Sequence, residues 1–178
     1  RKTREAIEKR LVRIESGDDV EALTFLAERY LAVFDSSVKD KTPNERIEEF
    51  CALEDIPRVI RGLIAFAQTK GHLLRPQDCG KSACVNQFYK LEFPFLVGMD
   101  LLWEHDPSGT DSLPNESVQA AIVCAVSRGG AKESEWVPAL LEKHKLTAIA
   151  AMIDFFRPQV QQPKAISGLA LIRYDERF

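Results

Sequence analysis

Val20, Leu23, Ala27, Tyr30, Leu31 and Phe34 fall at offsets 0, 3, 7, 10, 11 and 14, the spacing of one apolar stripe along an α-helix. The same period returns in Ile56, Val59, Ile60, Leu63, Ile64 and Ala67, and in Phe95, Met99, Leu102 and Trp103. Val118, Ala121, Ile122, Ala125 and Val126 follow, then Leu146, Ile149, Ile153, Phe156 and Val160. No stretch alternates apolar and polar residues between hairpin turns, so the predicted fold class is all-α. A rod with one greasy stripe must bury it on a neighbour. The expected architecture is therefore stacked antiparallel helix pairs, as an α-solenoid of HEAT-like type or an irregular helical bundle, with residues 1–178 forming one domain.

Local signals set the expected boundaries. Gly17 suits the end of a first helix carrying Ile7, Leu11 and Ile14, and Asp18 with Glu21 can form a capping box for the next. Thr42-Pro43-Asn44-Glu45 is the clearest start: Thr42 caps, Pro43 takes the first helical position, Glu45 closes the box, and a short helix runs to about Leu53. Gly71 is the natural stop of the Ile56 stripe, and Gly129-Gly130 that of the Val118 stripe. Residues 72–86 read as a loop, with or without one helical turn, and residues 106–115 as a loop between helices. Ser134 can cap a short helix through Leu140 and Leu141, with Pro138 in its first turn, and Pro158 ends or kinks the last long stripe. Gly168 to Tyr174 looks like the start of one more helix.

Composition narrows the function classes. A net charge of −3 gives no general field for nucleic acid or an anionic membrane. The basic residues of the first 13 positions are interleaved with Glu5 and Glu8, as on a solvated helix. The longest uncharged apolar stretch, Leu146 to Ile153, falls far short of the roughly 20 residues that span a bilayer. No signal-peptide pattern stands in the first residues of this sequence, and Cys51, Cys79, Cys84 and Cys124 form no dense framework. Free thiols in a reducing, cytoplasmic compartment are expected. The chain opens on Arg1 and ends at Phe178, which reads as a piece of a longer polypeptide.

Several residues invite chemistry. Gly80-Lys81-Ser82 resembles the tail of a phosphate loop, but the required first glycine is Arg75, Pro76 removes an amide, and a helical stripe rather than a strand precedes it. His72, Cys79 and Cys84 lack tight Cys-x-x-Cys spacing and a fourth zinc ligand. His72, His105 and His144 sit near helix ends, where histidine favours the dipole, rather than beside a cysteine nucleophile. Glu104, His105 and Asp106 are adjacent on a helix end and so point apart. Trp136 and Phe155-Phe156 read as core anchors. No catalytic, cofactor-binding or metal-binding residue is assigned.

"RLVRIESGDDVEALTFLAERYLAVF" (10–34), "IPRVIRGLIAFAQ" (56–68), "FPFLVGMDLLWEHDP" (93–107), "ESVQAAIVCAV" (116–126) and "EWVPALLEKHKLTAIAAMIDFFRPQV" (135–160) occur in order. Together they resemble the HEAT-like helical-repeat region of bacterial NACHT-type signal-transduction NTPases, over roughly residues 8 to 175. The resemblance implies a helical array attached to an ATPase core elsewhere, sensing a ligand or holding a switch closed. The family's ATP-binding motifs have no match here, so none of its functional residues carries over. The expected function is a non-catalytic interaction or sensor module that meets a protein partner or other domains of its parent chain. Loops 72–86 and 106–115 are the expected partner-facing segments. The alternative is a small all-α enzyme using Glu104, His105 or Cys84 between helices.

Overall fold

The computed structural model describes residues 2–34, 36–85, 89–128 and 134–161. Over these residues the protein is all-α. Helices α1 (Lys2–Glu8), α2 (Leu11–Glu15), α3 (Val20–Tyr30), α4 (Pro43–Ile47) and α5 (Ile56–Thr69) form the first half. Helices α6 (Pro76–Cys84), α7 (Glu92–His105), α8 (Asn115–Arg128), α9 (Trp136–Lys143) and α10 (Lys145–Val160) form the second.

α5 and α7 pack along each other, α2 lies on α5, and α10 packs on both α6 and α8. The return of α10 to α6 fits an irregular bundle better than a strict stack in which each unit touches only its neighbours. Ile14, Leu23, Leu26, Leu63, Phe66, Phe93, Phe95, Met99, Trp136 and Phe155 fill one continuous core. Three glycines set the helix crossings. A Cβ on Gly62 would stand 2.0 Å from the Ile14 carbonyl oxygen of α2. On Gly98 it would stand 2.2 Å from that of Leu63 in α5, and on Gly80 2.1 Å from that of Phe155 in α10. The backbones therefore touch where any side chain would hold them apart.

The capping box Thr42–Glu45 is present in both directions, with Pro43 opening α4, but α4 ends at Ile47 rather than near Leu53. Gly17 adopts a left-handed φ of +79° after α2, as expected of a helix terminator. The next cap is Asp19, not Asp18. Asp19 accepts from the Ala22 amide, while Asp18 lies out on the surface against Lys70 and Ser16. The first helix is also broken at Lys9–Arg10, so Ile7 belongs to α1, and Leu11 and Ile14 to α2. α3 stops at Tyr30, which leaves Leu31 and Phe34 beyond it.

Residues 72–86 are not a loop. A 3-10 turn at Gly71–Leu73 leads into α6, with Pro76 in its first turn. Gly80 reads as a helix breaker in isolation, but its missing side chain is what lets α6 lie on α10. Within 106–115, Pro107–Ser112 wind into a 3-10 helix capped by Asp106, which accepts from the Gly109 amide. Ser134 does not cap α9 with its side chain; its hydroxyl donates to Asp100 instead. Pro138 lies in the first turn of α9, and Pro158 lies inside α10 two residues before its end. Gly129-Gly130 and Gly168–Tyr174 fall outside the described residues.

Candidate interaction surfaces

The residues that invited chemistry are dispersed. Lys81 stands on the surface of α6 near Asp78, at 3.6 Å, and Gly80 beside it is filled by α10 backbone, so this stretch offers no phosphate cradle. Cys79 is buried among apolar groups, which push its thiol up to about 12, whereas Cys84 is half-buried and His72 exposed. Among the described residues no three His, Cys, Asp or Glu side chains are grouped to hold a metal. Glu104 and His105 are exposed, while Asp106 is spent on the Gly109 amide and the Ser108 hydroxyl. Glu104, His105 and Cys84 are not brought together by any hydrogen bond among the described residues. His144 links α9 to α10, and its buried Nε2 has no hydrogen-bond partner among the described residues.

Two surfaces stand out. The first corrects the sequence reading of α10. Leu146, Ile149, Ile153 and Val160 face solvent, exposed by 83, 40, 55 and 67 %. Ala148, Ala151, Met152, Phe155 and Gln159 make the buried face instead, against α6 and α8. α10 is apolar on both sides: its inner face mixes Ala148 and Ala151 with Met152 and Phe155. The outer stripe, about 20 Å long at 1.5 Å per residue, is left as an uncovered ridge interrupted by exposed Arg157, which pairs with Asp154. Apart from half-buried Phe156, every residue of the predicted stripe lies on it.

The second surface is a pocket of about 400 Å³ lined by Leu31, Leu96, Asp100, Trp103, Ser134, Glu135 and Trp136. Leu96, Asp100 and Trp103 are spaced four and three residues apart on α7 and so share one face. Trp136 opens α9 and donates from its indole Nε1 to Asp100 Oδ1 at 2.6 Å. The Ser134 hydroxyl donates to the same oxygen at 3.3 Å, and Trp103 Nε1 reaches Glu135 Oε2 at 3.4 Å. Asp100 is exposed as a residue, yet its carboxyl is crowded by these neighbours. Desolvation pushes it above the usual carboxylate range against the two hydrogen bonds that favour its charge. The Tyr30 hydroxyl nearby is raised too, by burial first and then by the charges of Glu104 and Asp100. Trp136 is the core anchor expected from the sequence, at 1 % exposed, and it also walls a pocket that the sequence pattern does not announce. The available signal was Asp100 itself, the one charge in an otherwise apolar run from Phe93 to Trp103.

Together these features define an all-α helical module with one exposed apolar ridge and one aromatic, acid-lined pocket. Among the described residues no helix is long and apolar enough to cross a membrane. No family model, curated protein or solved structure matches the chain.

Proposed function

We propose that the chain is a non-catalytic helical interaction module whose α10 ridge takes up an amphipathic helix of a protein partner. The uncovered stripe Leu146, Ile149, Ile153 and Val160 carries this reading, because scattered surface leucines are ordinary but an aligned apolar helix face is a docking surface. The ridge is one helix wide, which is small against the roughly 800 Å² per partner of a stable globular interface. A single docked helix fits it better than a second copy of this fold. The other face of α10 already packs helix on helix against α6 and α8, and the outer face offers the same kind of seam.

The resemblance to the helical arrays of NACHT-type NTPases supports a place in a larger bacterial signalling protein, in which partner contact biases a switch. The four free thiols fit a cytoplasmic setting. The test is a paired capture from cell lysate with the native chain and with Leu146→Gln/Ile153→Gln as baits. The reading predicts one protein held by the native chain and lost by a variant of unchanged melting temperature. Capture that survives the substitutions, or self-association abolished by them, would overturn it.

A further inference from the structure

We infer that the pocket between Leu31, α7 and the start of α9 binds a cationic side chain of a protein or peptide, arginine before lysine. The inference concerns different elements from the α10 ridge and does not depend on it. The chain contains two tryptophans, and both line this one opening. Each indole donates its N–H to a carboxylate, Trp136 to Asp100 and Trp103 to Glu135, which fixes ring and carboxylate together before any ligand arrives. Among the described residues Asp100 accepts its two hydrogen bonds on Oδ1 and none on Oδ2.

Several acids elsewhere in this chain are matched by cations. Glu15 meets Arg58 and Arg61, Asp18 meets Lys70, Asp19 meets Arg10, and Asp111 meets Lys143. Asp100, Glu104 and Glu135 have no ion pair among the described residues. The nearby guanidinium of Arg46 is committed to the backbone carbonyls of Tyr30, Val38 and Lys39. A crowded carboxylate beside the half-buried Trp103 indole lacks only the positive charge that both would attract, through a charge-assisted hydrogen bond and through the face of that ring. The volume falls in the range of built ligand pockets. Arginine is favoured because its planar fork stacks on an indole while pairing with a carboxylate, which a lysine ammonium cannot do.

The two indole N–H signals in a nitrogen–proton correlation spectrum are direct reporters. The titrant is the capped tripeptide Gly-Arg-Gly, with Gly-citrulline-Gly as its neutral isostere. Both indole signals are expected to shift saturably with the arginine peptide, with a Kd of about 1 mM or tighter, and to stay still with citrulline. Glu135→Gln, a surface change, should weaken binding severalfold, and Asp100→Asn should abolish it. No saturable shift, or equal shifts with both peptides, would overturn the inference.

Discussion

Arg10 grips Asp19 with two guanidinium nitrogens, Nε to Oδ2 at 2.6 Å and Nη2 to Oδ1 at 2.5 Å, while Asp19 caps α3. The side chain of Asp19 is 2 % exposed, and the pair ties the break between α1 and α2 to the start of α3. Asp19→Ala removes a cap and leaves Arg10 without its main partner. Arg10 is about one-third exposed, so water makes up part of the loss. A decrease of about 2 kcal/mol in urea unfolding is expected.

The pH dependence of the same pair has a fixed sign. Burial alone would raise the Asp19 carboxyl, but the Arg10 hydrogen bonds and the Ala22 amide outweigh it and hold it below 3.8. A depressed carboxyl contributes stability that is complete above its unfolded value and is lost as pH falls through the folded one. The stability gap between native protein and Asp19→Asn should therefore be largest near neutrality and close below about pH 3.8. Paired denaturant titrations from pH 7 to pH 2 measure it.

Gly98→Ala should destabilise, although alanine is the better helix former by about 1 kcal/mol. The new methyl group would meet the Leu63 carbonyl, which is backbone and cannot step aside. Forcing α5 and α7 apart is expected to cost about 3 kcal/mol net, read from thermal or urea unfolding.

Thiol reactivity should separate the cysteines. Desolvation raises Cys51 to about 11 and Cys79 to about 12, and both are buried, as is Cys124. Half-buried Cys84 should be the one thiol that reacts quickly with a disulfide reagent at pH 7.5, the remaining three following only on unfolding. Rapid modification of Cys79 in the native protein would contradict the packing of α6 on α10.

Asp100→Asn should raise the melting temperature slightly at pH 7 while weakening the pocket. A carboxyl raised by burial contributes stability below its unfolded value and loses it as pH rises through the folded one, so at neutrality the charge opposes folding. Asparagine keeps an acceptor for Trp136 without that charge. A fall in melting temperature would mean that Asp100 serves packing rather than a ligand.

The helical period was legible because most stripes have only one apolar side. Val118, Ala121, Ile122, Ala125 and Val126 are all buried as read. The Ile56 stripe was right in direction and omitted Phe66, the largest side chain on its buried face. α10 defeated the same reasoning. Both of its faces are apolar, so the period could not say which turned inward; that was decided by close approach to α6 and α8, a tertiary matter. Residues 72–86 failed for a related reason, since Gly80 and Pro76 are breakers in isolation and a packing notch and a first-turn residue in context. The pocket on Asp100 needs Trp103 and Trp136 from separate helices, a juxtaposition that sequence spacing does not contain.

The central claim is that the outer face of α10 receives a helix from another protein. Its most direct measurement is photo-crosslinking in cells from benzoylphenylalanine placed at Ile153, followed by mass spectrometry. The account predicts a crosslink to apolar positions three and four residues apart in a different protein, abolished by Ile149→Glu. Crosslinks confined to this chain or to its own copies would contradict it.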